Sequence, residues 1–493
     1  MKKHTFKRLL GYLKSHRIRL FFVLLFASVS TIFTVMAPFV IGKVTTTLFD
    51  SIRDGVFYWE TILWLLAALV CLYLVSQFFS FLQGFYMAKI TANVMRKIRS
   101  DIDGKMHRLK LNYYDTHTHG DILSVITNDV DTINNTVSQN LTSIVTQVIT
   151  AIGILLMMLA ISPKLTIIPI IMVPLSLLSA AGVMKAGSKY YEKQQELLGR
   201  LNGYIEEMYN GQQVVQSFSY QGRAKQNFSA LNEELKNSSY KAETTAGAVG
   251  PITTLVNDMG YVVCAVIGCL GAIGGLITVG NVQAMLEYTR RFAEPFSSLA
   301  GMAGSFGAAK AAGDRIFALL DAEEELPDAE HGIIPKDRSG SVTFQNVRFG
   351  YTPDRMLMNG VNLIVKPGQK VAIVGPTGAG KTTLINLLMR FYEINGGTIT
   401  VDGVNIQDMP REELRDRFGM VLQDTWLFEG TIADNVGYAE EGMNKNKIVA
   451  AAKSACAHNF IKTLPKHHLT RAYREKKQKK CYQPYTKHRL TGQ

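Results

Sequence analysis

The sequence predicts an α-helical membrane domain of six spans followed by a soluble α/β domain, and two observations carry this prediction. Roughly the first 310 of the 493 residues contain long apolar runs, whereas the remainder reads as an ordinary soluble sequence. Residues 370–391 combine a short apolar run, a glycine-rich loop and a helical pattern in that order. A chain of this length accommodates two or three domains, so both halves fit.

Six apolar runs are long enough to cross a bilayer, because a spanning helix needs about 20 predominantly apolar residues. They lie at about 19–42, 57–84, 138–161, 164–186, 247–278 and 281–310. The first run is too long for a signal peptide and has no small-residue cleavage site behind it, so we expect a true span.

The loops between these runs alternate in length and charge. Residues 43–56, 162–163 and 278–281 are short and nearly free of Lys and Arg, whereas 85–137 and 187–246 are long, basic and helical in pattern. Basic loops remain in the cytoplasm. We therefore expect a multi-pass protein of the plasma (cytoplasmic) membrane with both termini in the cytoplasm and with two long cytoplasmic helical hairpins.

The net charge of +13 is unevenly distributed. Seven basic residues and no acid precede the first apolar run, as expected of a cytoplasmic membrane flank. Nine more, against one Glu, lie within 466–493. This distribution favours the lipid bilayer as a partner and argues against nucleic acid.

The sixth run contains four charged residues, Glu287, Arg290, Arg291 and Glu294. Their spacing places them on one face of a helix and allows Glu287–Arg291 and Arg290–Glu294 pairs. A lone ionised side chain at mid-membrane costs about 2.5–3.5 kcal/mol even by the lower scales, so this face should avoid lipid. Structural ion pairs and a lining of the transport pathway are the two interpretations.

The glycine-rich loop has the pattern G-x-x-x-x-G-K-[ST] of a phosphate-binding loop. An apolar strand is predicted at 370–374, and a helix from Leu384 to about Phe391. The loop backbone and the helix N-terminus would bind phosphate oxygens, Lys381 would contact the β- and γ-phosphates, and the Thr382 hydroxyl would bind Mg²⁺. The predicted ATP-binding residues of the loop are Gly375, Pro376, Thr377, Gly378, Ala379, Gly380, Lys381, Thr382 and Thr383.

Further segments give the chain a resemblance to a known family. Tyr351 precedes the loop by about 25 residues, Gln423 follows a predicted strand at 420–422, and 427–436 reads Leu-Phe-Glu-Gly-Thr-Ile-Ala-Asp-Asn-Val. The segments 127–133 and 210–218 lie on the two predicted cytoplasmic loops. With the phosphate-binding loop, they resemble half-transporters of the ATP-binding cassette (ABC) exporter family, multidrug or lipid type, up to about residue 465.

The resemblance implies roles for these residues. Tyr351 would stack on adenine, and Gln423 would be a catalytic residue that contacts Mg²⁺ and the attacking water. Segments 127–133 and 210–218 would be coupling regions that dock on nucleotide-binding domains. The implied cofactors are ATP and Mg²⁺, and the implied partner is a second half-transporter, identical or related, with a lipid or small amphipathic molecule as cargo.

The resemblance also implies an incomplete cassette. We expect a transmembrane domain at 1–318, a linker at 319–340, a partial α/β P-loop nucleotide-binding domain at 341–465 and an aberrant basic tail at 466–493. We find no Leu-Ser-Gly-Gly-Gln signature, acidic strand end or switch His. Two hypotheses follow: an ABC exporter subunit that couples ATP binding and hydrolysis in a dimer to transport, or a truncated or frameshifted product that binds ATP without independent ATPase activity.

Overall fold

In the computed structural model, the chain divides into two compact units between Leu326 and Pro327. The structure describes residues 5–328, 331–352, 355–376, 378–422, 426–440, 442–465 and 467–472. The division falls within the predicted linker at 319–340, while the exact domain limits stay predictions.

The regular secondary structure in the described part of the first unit is helical, apart from one β-bridge between Leu109 and Glu324. Its helices are α1 (Thr5–Lys14), α2 (Arg17–Asp54), α3 (Trp59–Met106), α4 (Leu111–Thr116), α5 (His119–Ile161, with two π turns), α6 (Pro163–Asn210), α7 (Gln212–Ser217), α8 (Gln221–Ile273), α9 (Val279–Phe292) and α10 (Glu294–Leu320).

Five of these helices, α2, α3, α5, α6 and α8, are long and apolar enough to cross a membrane, and each covers most or all of one of the first five predicted spans. At 1.5 Å per residue, the 48 residues of α6 and the 53 of α8 run for about 70–80 Å, more than twice the thickness of the bilayer core. The prediction that helices continue through the long loops is therefore confirmed.

The sixth predicted span, 281–310, is not a single helix. Ala293 separates α9 from α10, and Pro295 occupies the first turn of α10. Proline is tolerated there because an N–H in the first turn has no acceptor within the helix. Within the described residues neither helix reaches the length and apolarity of the other five. The sixth crossing stays a prediction, now divided over two helices.

Close packing holds α9 against α2. A Cβ on Gly280 would overlap the carbonyl oxygen of Gly42, so this approach requires glycine. Deeper in the unit, Tyr288 of α9 is fully buried and its hydroxyl donates to the carbonyl of Val35 at 2.7 Å. The phenol thus satisfies its polar atom where water is excluded, and it fixes the rotation of α9.

The structure places the two predicted coupling segments differently. Segment 210–218 lies at a hairpin tip, where α7 joins α6 to α8 and the Phe218 side chain is 80% exposed. Segment 127–133 instead lies inside α5, and its Asp129 is buried and paired with Arg315 of α10. The short helix between α3 and α5 is α4, at 111–116, which sequence reasoning did not identify.

The described part of the second unit combines small sheets with short helices. Its elements are β1 (Val342–Phe349), β2 (Met358–Val365), α11 (Lys381–Leu388), β3 (Gly396–Val401), β4 (Val404–Asn405), α12 (Arg411–Asp416), β5 (Gly430–Thr431), α13 (Ile432–Val436), α14 (Lys445–Ser454), α15 (His458–Lys462) and β6 (Arg471–Ala472).

The larger sheet is antiparallel, with strand order β2-β1-β3-β4. Its buried face packs around Phe344 and Ile399 together with Leu387 of α11. The smaller sheet pairs Gly430 with Ala472, so described residues beyond 465 pack onto the unit. The predicted start of a basic tail at 466 stays a prediction.

Two predicted strands are wrong. Residues 370–374 and 420–422 have no strand pairing, and Val374 and Val421 are 91% and 92% exposed. A strand is stabilised by the neighbours that pair with it, and among the described residues nothing pairs with either segment. Apolar composition alone therefore did not produce a strand.

Candidate functional site

The glycine-rich loop turns sharply because two of its glycines adopt a left-handed backbone. Gly378 and Gly380 both have φ of +84°, a conformation that side chains disfavour. Helix α11 begins directly after them, at Lys381, three residues earlier than predicted. The first N–H groups of α11 have no partner within the helix, and its dipole is positive at this end. The arrangement suits an anionic group.

Lys381 lies folded back over the loop. Its Nζ donates to the carbonyl oxygens of Gly375 at 2.9 Å and Pro376 at 2.8 Å. These two bonds hold the ammonium group beside the loop backbone, although neither residue carries a countercharge. The cation is therefore available to phosphate oxygens at the N-terminus of α11.

Tyr351 lies next to the same helix. Its hydroxyl and the Thr383 Oγ1 atom are 2.9 Å apart, within hydrogen-bond distance. Its ring meets Phe349 edge to face at 5.0 Å and Tyr392 at 5.1 Å. These contacts fix the ring while the side chain remains 45% exposed, so an aromatic surface is available for stacking.

A cleft of about 780 Å³ joins these features, a size typical of ligand sites. The predicted site residues that line it are Tyr351, Gly378, Gly380, Lys381, Thr382 and Thr383. Gly375, Pro376 and Ala379 lie in the loop but do not line the cleft, and Thr377 and Gln423 lie outside the described residues. The binding roles of all these residues stay predictions.

Three lining residues were missed by sequence reasoning: Thr352, Arg355 and Leu357. Arg355 brings a second cation to the cleft. The sequence signal that could have identified Arg355 is its position four residues after Tyr351, in the same loop.

A second cavity, of about 350 Å³, lies in the first unit beside the charged face. Its polar lining comes from Tyr261 of α8 and from Gln283, Glu287 and Arg290 of α9. The predicted Glu287–Arg291 pair is present, with Arg291 Nε at 2.7 Å from Glu287 Oε1. The ion-pair interpretation of the charged face is thus supported at Glu287, and the lining of the transport pathway stays a prediction.

The predicted Arg290–Glu294 pair is wrong. Within the described part of the chain no ion pair joins these two side chains. The break at Ala293 places Glu294 in α10, so the i, i+4 geometry of one continuous helix is lost.

Two protein families match this sequence. The family described as "ABC transporter transmembrane region" matches residues 20–296, and the family described as "ABC transporter" matches residues 358–482. The first match covers more than half of the chain, and the second includes the phosphate-binding loop.

Individual relatives agree with these families. A fatty acid ABC transporter ATP-binding/permease protein of Mycobacterium bovis is 40% identical over 82% of this chain, and the chain spans 64% of its length. An uncharacterised ABC transporter ATP-binding protein of Bacillus subtilis is 34% identical over 95% of the chain and 77% of its own length. An ATP-dependent lipid A-core flippase of Syntrophus aciditrophicus is 27% identical over 94% of this chain and 76% of its own length.

Proposed function

Because the chain belongs to the ABC transporter family, a family of membrane proteins with an ATP-binding domain, we propose that it is the ATP-binding subunit of an exporter. In this proposal, ATP binding and hydrolysis in a dimer of half-transporters drive an amphipathic small molecule or a lipid across the membrane. The dimer partner is a second copy or a related subunit.

The observation that carries the proposal is the cleft at the N-terminus of α11. It combines two left-handed glycines, a lysine held over the loop and a fixed aromatic ring with a free face. These groups match two parts of a nucleotide: the loop and Lys381 suit the phosphates, and Tyr351 suits the flat base.

The cleft also offers a ligand for the magnesium ion of a nucleotide, because Thr382 presents a hydroxyl at the start of α11. Gln423, outside the described residues, is the second ligand expected from the sequence. The ion would neutralise phosphate charge. Lys381 would bind phosphate oxygens, Tyr351 would orient the base, and Arg355 would add positive charge to the cleft.

The cargo and membrane assignments are supported by the relatives and by the helices. One relative carries fatty acid in its name and another lipid A-core, both amphipathic molecules. Within the part of the chain that the structure describes, five helices are long and apolar enough to cross a membrane. We place the protein in the cytoplasmic membrane, with both termini in the cytoplasm, from the basic loops and the basic N-terminal segment.

The test is binding of a fluorescent ATP analogue to the purified full chain. Lys381→Ala should weaken binding by about 10- to 100-fold, because charge-assisted hydrogen bonds contribute roughly 1.5–3 kcal/mol each. Lys370→Ala is the matched control, since Lys370 is exposed and does not line the cleft. Equal binding by wild type and Lys381→Ala would refute the nucleotide site.

A second candidate function is an ATP-binding membrane protein without independent ATPase activity. Phosphate release by the purified chain, alone and with a candidate partner subunit, separates the two functions. Turnover by the chain alone supports the exporter ATPase, and binding without turnover supports the alternative.

A further inference from the structure

The cavity beside the charged face has both polar and apolar lining residues. Pro38, Ile41 and Leu286 form apolar walls, whereas Gln283, Glu287 and Arg290 supply polar groups. All of these residues come from one unit, with α2 contributing Pro38 and Ile41 and α9 contributing the rest. A site of this kind matches an amphiphile, whose headgroup and chain need different surroundings.

Arg290 is the unpaired charge in this cavity. In the described residues its guanidinium makes no ion pair and no side-chain hydrogen bond, and it has no pairing with Asp258 of α8. Glu287, the acid that lines the same cavity, is already bonded to Arg291. Because Arg291, which does not line the cavity, neutralises Glu287, Arg290 is the lining charge that has no counterion among the described residues.

The position of Arg290 makes an unpaired charge costly. The turn at 274–278 joins two helices of the membrane domain, so it should lie at a membrane surface. Arg290 is 11 residues beyond the start of α9, which is about 17 Å along the helix. That depth is near the middle of a bilayer core of about 30 Å, where the exposed Arg290 side chain needs a water-filled cavity, a polar partner or an anion.

We propose that Arg290 binds the anionic headgroup, a carboxylate or a phosphate, of an amphiphilic cargo whose apolar chain contacts Pro38, Ile41 and Leu286. This proposal rests on the proposed transport function and specifies its substrate class. Arg290 would act as a specificity residue: it selects charged over neutral amphiphiles and takes no part in ATP binding. A concave site within one chain favours a small molecule over an acidic residue of a second copy.

The experiment measures binding to the purified full chain in nanodiscs of neutral lipid. The probes are a pyrene-labelled long-chain carboxylic acid, the corresponding alkyl phosphate and the corresponding alcohol. Wild type should bind at least one of the two acids about tenfold more tightly than the alcohol, and the better acid identifies the headgroup. Arg290→Gln should abolish this preference, and Arg290→Lys should retain most of it.

Lys43→Gln is the matched control, because Lys43 is an exposed cation of α2 that does not line the cavity. It should keep the wild-type preference. Arg290→Glu should reverse the selectivity and favour an alkylammonium probe. A wild-type chain that binds both acids no better than the alcohol overturns the proposal even when a variant fails to fold, and so does an unchanged preference in Arg290→Gln.

Binding of a fluorescent ATP analogue is measured on the same samples. Intact nucleotide binding without any preference for acids refutes the Arg290 site and leaves the proposed function in place. Loss of nucleotide binding in the wild type refutes the proposed function itself. The two failures are therefore distinguishable.

Discussion

The ion pair between Asp129 of α5 and Arg315 of α10 should stabilise the membrane unit. The Asp129 side chain is only 3% exposed, and Arg315 Nε donates to its Oδ2 at 2.7 Å while a second guanidinium nitrogen donates to Oδ1. Arg315→Gln would leave a buried carboxylate without its cation. The hydrogen bond to Asp129 also raises the pKa of Arg315, so the guanidinium stays charged across ordinary pH.

The size of the effect follows from the burial of the two partners. Removing one member of a buried pair costs about 3–5 kcal/mol, but Arg315 is 59% exposed and screened by solvent. We therefore expect a loss of about 2–3 kcal/mol in the free energy of unfolding. For a unit of this size, that loss corresponds to a fall in Tm of about 2–6 °C.

The assay is thermal unfolding of the purified chain in detergent, followed by intrinsic fluorescence. Arg99→Gln is the matched control. Arg99 of α3 pairs with Asp131, which lies in α5 like Asp129, but both side chains of this pair are more than half exposed. Its loss should be below about 0.5 kcal/mol. The double variant Asp129→Asn/Arg315→Gln should be less destabilised than the sum of the single variants, with a coupling of about 1–2 kcal/mol.

One result would refute this reasoning. If Arg315→Gln lowers Tm no more than Arg99→Gln does, the buried carboxylate is not stabilised by its partner.

Three further predictions concern the second unit, the charged face and the α2–α9 contact. Burial raises the pKa of Asp402, but hydrogen bonds from 339–341 and the ion pair with Arg417 outweigh it, so the net pKa is lowered. The stability that ionised Asp402 gives the folded protein is therefore complete above the ordinary Asp pKa of about 4, and it is lost as pH falls through the lowered pKa of the folded state. Asp402→Asn should therefore reduce the loss of stability at acid pH in an unfolding titration. Arg291→Glu should reduce the yield of folded protein, and Glu287→Arg/Arg291→Glu should partly restore it; a cycle without coupling would exclude the pair. Gly280→Leu should prevent folding by forcing α9 from α2, whereas Gly301→Leu, at an open position, should be tolerated in a detergent-solubilised yield assay.

The sequence alone determined the features that depend on local chemistry. The lengths of the apolar runs predicted the first five spanning helices, because a helix satisfies its own backbone in lipid and needs no partner to form. The glycine spacing predicted a sharp phosphate-binding loop, and the left-handed angles of Gly378 and Gly380 agree with it. Helix α11 likewise follows from residues adjacent in the chain.

Tertiary structure decided the features that depend on neighbours distant in sequence. Residues 370–374 are apolar but have no strand partner among the described residues, so they do not form the predicted strand. Segment 127–133 lies inside α5, and its Asp129 pairs with Arg315, far along the chain. Arg290 does not pair with Glu294 as predicted, because the helix is interrupted at Ala293. The packing of α2, α8 and α9 places the Arg290 cation beside a cavity. Helical periodicity predicts the face of a helix on which a charged residue lies, but the packing of the folded unit determines which groups that residue contacts.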